Sequence, residues 1–123
     1  MSIKQIFVVD DDFDTINTIS IWLRHKKYDV RSYTGSAPLF VGLEMNLPAA
    51  ILLDINLGGE DGREICKEIR RRYASKIPII LFSMFYYSIK QLKDSCADDF
   101  IKKDATLHEI TELLQEHINI EKE

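Results

Sequence analysis

Ala49–Ala50–Ile51–Leu52–Leu53–Asp54, followed by Ile55–Asn56–Leu57–Gly58–Gly59–Glu60–Asp61–Gly62, is the stretch that decides the fold. Five apolar residues in a row end in an acid, and a glycine-containing loop follows. A short apolar run without alternation marks a strand buried on both faces, as in parallel sheets. Toward the N-terminus, Ile6–Phe7–Val8–Val9 repeats the pattern and ends in Asp10–Asp11–Asp12. Two such strands side by side bring Asp54, Asp10 and Asp11 into one carboxylate cluster. Like charges at short range oppose each other's ionisation, so the cluster calls for a cation. Hard oxygen ligands suit Mg2+, which takes one or two carboxylates and keeps waters or phosphate oxygens in its other positions.

Outward from these two strands, strand and helix alternate five times. Residues 3–9 read as a strand and 13–26 as a helix, with Phe13, Ile16, Ile19 and Leu23 on one face. Residues 28–33 alternate imperfectly and suggest an edge strand. Ser36–Ala37–Pro38 reads as a helix start, with Ser as cap and Pro in the first turn. That helix ends before Pro48. Residues 49–53 form the next strand, and Asp61–Gly62 opens a helix carrying Ile65, Ile69 and Tyr73. A strongly apolar strand over 77–82 precedes a helix over about 86–95. A short strand at 98–102 leads to a last helix over about 105–119, with Leu107, Ile110, Leu113, Leu114 and Ile118. Asp104 and Thr106 compete to cap it, Thr106 having Glu109 three residues on. The pattern predicts an α/β fold, a doubly wound five-stranded parallel sheet of flavodoxin-like type, (βα)5, with strand order 2-1-3-4-5. In such sheets ligands bind beyond the carboxyl ends of the strands, which is where Asp10, Asp54, Ser83 and Lys103 fall.

The 123 residues suit one domain, 1–123, and 46% hydrophobic content supplies a core. A net charge of −4 fits nucleic acid poorly and a partner with a basic surface better. Cys66 and Cys96 lack metal or disulfide spacing, and reduced thiols in a cytoplasmic protein are the expectation. No signal peptide or membrane-length apolar segment is read from the sequence, and no membrane partner is expected. His25, His108 and His117 have no metal spacing, and Trp22 reads as a rim residue of the first helix.

Val8–Val9–Asp10–Asp11–Asp12, Leu52–Leu53–Asp54–Ile55–Asn56–Leu57, Asp61–Gly62, Ile79–Ile80–Leu81–Phe82–Ser83 and Ala97–Asp98–Asp99–Phe100–Ile101–Lys102–Lys103 resemble, in order and spacing, the response regulator receiver domain of two-component signalling. The resemblance spans essentially the whole chain. It implies a phosphoacceptor signalling domain, not a turnover enzyme: Asp54 takes a phosphoryl group from a histidine kinase or phosphotransfer protein, and the domain catalyses only its own phosphorylation and dephosphorylation. It further implies that Mg2+ is held by Asp11, Asp54 and the Asn56 backbone carbonyl, with Asp10 acting mainly through water. Lys103 becomes the charge that bridges to the phosphoryl oxygens. Lys102 points to the opposite face by strand alternation. Ser83 and Phe100 become the switch pair, the hydroxyl moving to the phosphoryl group and the ring turning inward behind it. A downstream protein binds the 84–110 face, where Met84–Phe85–Tyr86–Tyr87 is unusually bulky.

The chain departs from that family in four places. Gly58 stands where proline is usual, and the pair Gly58–Gly59 predicts a more mobile loop. Glu60 stands where an apolar residue is common, Met84 where Ala or Gly is preferred, and Asp104 where proline follows the lysine. Two other functional classes compete. One is a pseudo-receiver that binds partners without phosphorylation. The other is a small haloacid-dehalogenase-type phosphohydrolase, suggested by Asp10–Asp11–Asp12 as an Asp-x-Asp pair; the chain is short for that fold, which leaves the Asp54 loop unexplained.

Overall fold

A computed structural model describes residues 3–74 and 76–122, the side chains of 119–122 excepted. In chain order the elements are β1 Gln5–Val9, α1 Phe13–His25, β2 Asp29–Tyr33, α2 Ser36–Met45, β3 Ala50–Asp54, β4 Asn56–Leu57, β5 Glu60–Asp61, α3 Gly62–Arg72, β6 Ile79–Ser83, α4 Ile89–Lys93, β7 Asp99–Lys102 and α5 Leu107–Lys122. Five strands form one parallel sheet in the order β2-β1-β3-β6-β7. Counting only the sheet strands, this is the expected order 2-1-3-4-5.

The three central strands are covered on both faces, which is why their sequences do not alternate. Phe7, Val9, Ile51, Leu53, Ile79 and Leu81 pack with Leu39 and Leu43 of α2 and with Ile65, Cys66 and Ile69 of α3. Ile6, Val8, Leu52, Ile80 and Phe82 pack the other way, against α1 and against Ile110, Leu114 and Ile118 of α5. Each fully buried aliphatic or aromatic side chain contributes roughly 1.5–3 kcal/mol. The strand register sets the level of the functional ends: Val9 pairs with Leu53, Asp54 with Phe82, and Ser83 with Lys102.

Several expected boundaries and roles change. Asp54 and Ser83 are the last residues of their strands, and Ile77–Pro78 lies outside β6. Pro78 has no N–H for a ladder, and its carbonyl accepts from Ile51 N at 2.9 Å. Phe13 is 69% exposed, because the first helical position turns away from the sheet. Gly35, not Ser36, is the cap of α2, and it brings no side chain to the task. The helix expected over 86–95 shrinks to Ile89–Lys93. A Ser88–Gln91 capping box starts it late, and Cys96 at φ 69 follows its end. Thr106 and Glu109 satisfy each other's backbone N–H, so Thr106, not Asp104, begins the last helix. Asp12 caps α1, accepting from Asp14 N and from the Thr15 hydroxyl.

The loop after Asp54 is a hairpin rather than a mobile segment. Asn56 pairs with Asp61 and Leu57 with Glu60, antiparallel. Gly58 and Gly59 are its two turn residues, at φ +50 and +88. A two-residue hairpin of the I′ type needs both in the left-handed region, so the glycines here fix a turn instead of loosening one. Trp22 is half-buried at the rim, its indole N–H donating to Thr111 Oγ1 at 2.6 Å. Cys66 is buried and Cys96 exposed, and both are free thiols. Among the described residues no helix is long and apolar enough to cross a membrane.

Candidate functional site

β1 and β3 are adjacent and end level, so Asp10 and Asp54 emerge side by side. Asp10 is fully buried and Asp54 is 2% exposed. Asp11 is exposed at the rim, and one carboxylate oxygen from each of Asp10, Asp11 and Asp54 falls within 4.8 Å of the others. Asp10 Oδ1 accepts from Asp12 N at 2.9 Å, and Asp54 Oδ1 accepts from Asn56 N at 3.1 Å. These bonds fix both carboxylates in rotation.

Lys103 closes the cluster. Its backbone N–H donates to Ser83 O at 2.9 Å, one step beyond the β6–β7 ladder. Its Nζ lies 2.8 Å from Asp10 Oδ2 and 3.2 Å from Asp54 Oδ2. Lys102 points elsewhere, with Nζ 3.8 Å above the Tyr86 ring. The two neighbouring lysines thus point to different places, as strand alternation expects.

The charges do not balance. Burial, then the Asp10 charge, push the Asp54 carboxyl up from 3.8 to about 6, against the pull of Lys103. Burial opposes the Lys103 charge, but the two carboxylates outweigh it and hold its pKa above the ordinary value. Asp10 Oδ2 is buried without a hydrogen bond of acceptable geometry, its contact with Lys103 being an ion pair. Three clustered carboxylates, two of them sharing the one ammonium and one oxygen so placed, fit a divalent cation with hard oxygen preference.

Ser83 is fully buried at the end of β6. Its Oγ accepts from Phe85 N at 3.1 Å and from Asn56 Nδ2 at 3.3 Å. Among the described residues its own O–H has no acceptor, so that proton is free for a ligand oxygen. Phe100 is half-buried on β7 and meets the Tyr87 ring edge to face at 6.2 Å. Met84 is 66% exposed and turned to solvent, so its length does not fill the site. No cis peptide occurs among the described residues, Lys103–Asp104 included.

Three participants escape a reading of the sequence. Asn56 is expected for its carbonyl, yet its side-chain amide also links the acid loop to Ser83. Gly62 packs so tightly that an added Cβ would lie 2.2 Å from Asp54 O and 2.9 Å from Ile55 Cα. Its sequence signal was only the Asp61–Gly62 helix start. Glu60 reaches Ser36, 24 residues back, and no local pattern marks that pairing. Asp12, the second acid of the Asp-x-Asp alternative, is engaged at the α1 cap and is not in the cluster.

Solved structures share this fold. Vibrio cholerae chemotaxis protein CheY4 superposes with a TM-score of 0.86 at 18% identity, over 94% of this chain and 98% of that one. The BeF3-activated N-terminal receiver domain of Klebsiella pneumoniae RstA gives 0.83 at 24% identity, over 93% and 97%. A protein assigned as a response regulator in Chloroflexus aurantiacus J-10-fl gives 0.86 at 24% identity, over 96% and 99%. These likenesses establish the fold. The family model of the response regulator receiver domain matches residues 6–115, nearly the full length, and the chain belongs to that family.

Proposed function

We propose that residues 1–123 act as one cytoplasmic receiver domain that accepts a phosphoryl group on Asp54 from a histidine kinase or phosphotransfer protein. The observation that carries this is the single Lys103 ammonium shared by the buried Asp10 and Asp54 carboxylates. A deeply buried, incompletely neutralised carboxylate at a strand end is suited to attack, because phosphoryl transfer needs positioning and charge compensation above all. One Asp54 oxygen forms the new O–P bond as the P–N bond of a phosphohistidine breaks, and the electron pair returns to the imidazole. The product is an acyl phosphate.

Asp10, Asp11, Asp54 and the Asn56 backbone carbonyl would hold Mg2+. Bound there, it offsets the carboxylate charge and stabilises negative charge on the phosphoryl oxygens. Lys103, already at Asp54 Oδ2, becomes a counter-charge to the phosphoryl group. The Ser83 hydroxyl donates to one phosphoryl oxygen, which draws it away from Asn56. Phe100 follows inward, and the Met84–Tyr87 segment, tied to Ser83 through Phe85 N, moves with it. The modified domain thereby changes its affinity for a protein partner at the 84–110 face. Large exposed side chains there support that face: Phe85 is 63%, Tyr86 81% and Ile89 73% exposed.

Incubation with a small acyl or amido phosphate donor, with and without Mg2+, tests the reading by intact mass. We expect one phosphoryl group per chain, dependent on Mg2+, labile to hydroxylamine, and absent in Asp54→Asn. Equal labelling of wild type and variant, or none in wild type, would overturn it.

A further inference from the structure

Neither the carboxylate cluster nor the switch pair accounts for Glu60. It lies at the tip side of the β4–β5 hairpin, opposite Leu57. Its carboxylate accepts from Ser36 N at 3.0 Å and from the Ser36 hydroxyl, across the gap to α2. Helix α2 needs that acceptor. Its cap residue is Gly35, which has no side chain to receive a first-turn N–H. A carboxylate from another element does the work, and the helix N-terminus favours its charge.

The hairpin needs the contact as well. Two residues per strand around two glycines make a unit that is marginal alone. Its base is fixed by Gly62 N donating to Ile55 O at 2.7 Å, and its inner face by the buried Leu57. Glu60 is the polar anchor near the tip. That tip matters for the acids: a Cβ on Gly58 would lie 3.4 Å from Asp11 Oδ2. Asp11, Asn56, Gly58, Glu60 and Asp61 line one open depression.

We propose that Glu60 is a positioning residue for the cation: by clamping the hairpin to Ser36 it holds the Asn56 backbone and the Gly58 tip where the Asp11 and Asp54 carboxylates can share a metal ion. This rests on the reading of Asp10, Asp11 and Asp54 as a Mg2+ site. The clamp is built from a residue that departs from the family's apolar preference.

The competing role is purely structural, a cap for α2 with no bearing on the ion. Thermal stability does not separate the two roles, but Mg2+ affinity does. The test titrates Mg2+ into the full chain by calorimetry, for wild type, Glu60→Ala, Ser36→Pro and the double variant. Ser36→Pro removes both donors without altering charge. Its position is the first of the helix, where proline fits, and Gly35 is already extended as a residue before proline must be. Removing supports behind metal ligands typically costs tenfold or more in affinity, so we expect the Mg2+ Kd to rise about tenfold in each single variant. The double variant should show no further loss, since both changes break one contact. If Ser36→Pro does not fold, Ser36→Ala removes one of the two donors and should raise Kd about threefold, half that effect on a logarithmic scale.

Wild-type affinity in the Ser36 variants, with or without weakening in Glu60→Ala, would overturn the clamp. It would leave Glu60 a helix cap or a distant charge. Wild-type protein that binds no Mg2+ would instead overturn the metal site itself.

Discussion

Two loops flank Asp54, and they are built in opposite ways. The β4–β5 hairpin is secured at its base by Gly62, along its length by Leu57, and near its tip by Glu60 on Ser36. The segment Met84–Ser88 leaves β6 with most of its bulk in solvent. Its links include Phe85 N to Ser83 Oγ, the edge contact of Tyr87 with Phe100, the Arg63 guanidinium 4.9 Å over the Tyr87 ring, and Lys102 over the Tyr86 ring. On the proposed function, one loop carries groups that hold still around a cation. The other follows a hydroxyl that travels. On that reading the difference divides the site into a fixed half and a responsive half, which meet at the Asn56–Ser83 hydrogen bond and where Arg63, paired with Asp61, lies over Tyr87.

The comparison can be broken in four ways. Lys103→Ala should have the largest effect, because the charge joining Asp54 to the far side is lost. With beryllofluoride and Mg2+, wild type should change its amide hydrogen exchange over residues 83–103 while residues 56–62 stay silent. The variant should lose the response. Changes concentrated in 56–62 of wild type would reverse the assignment of the two halves.

Gly62→Ala attacks the fixed half. The added Cβ meets backbone, at 2.2 Å from Asp54 O, and backbone cannot step aside as a side chain can. We expect a loss of about 3 kcal/mol, the upper part of the range for overpacking, read by chemical denaturation. A near-neutral result would show the hairpin base to be looser than described.

The third test is of pH without metal. Asp54 is raised from 3.8 to about 6 by burial and then by Asp10. A folded pKa above the unfolded one favours the folded state below the unfolded value, and that gain is lost as pH rises through the folded value. Asp54→Asn mimics the protonated acid. In chelator its melting temperature should therefore rise relative to wild type as pH climbs from 3.8 to about 6. A pH-independent difference would place Asp54 in a more polar setting.

The smallest effects belong to the responsive half. Lys102→Ala frees Tyr86 from a partly exposed cation–π contact and should cost about 0.5–1 kcal/mol. Met84→Gln, at an exposed position, should stay within about 0.5 kcal/mol. If Met84→Gln proves costly, the loop is packed more firmly than its exposure implies.

The sequence displays the strands beneath the acids well because they are hydrophobic. Ala50–Leu53 and Ile6–Val9 are runs no surface could carry, and their acidic ends locate Asp54 and Asp10 directly. Lys103 is legible through its spacing from Ala97–Asp98–Asp99–Phe100, with alternation setting Lys102 apart. The two loops are harder. Met84–Tyr87 reads as helical bulk, yet the capping box at Ser88 delays the helix, a decision made by two polar side chains rather than by periodicity. Gly58–Gly59 suggests freedom in the sequence, and in the structure it is a turn. Loop glycines carry both meanings, and only the antiparallel pairing of Asn56 with Asp61 distinguishes them. Glu60 was invisible as an anchor because its partner lies 24 residues away.

The two cysteines differ in a way that bears on how the molecule can be watched. Burial pushes the Cys66 thiol up to about 12, so at neutral pH it holds no appreciable thiolate and no reagent reaches it. Cys96 is exposed, just before β7. A thiol-directed fluorophore therefore attaches at one defined point without mutagenesis. That point adjoins the strand carrying Phe100 and lies away from the carboxylates. The native chain thus comes with a built-in reporter position for following the proposed switch in real time.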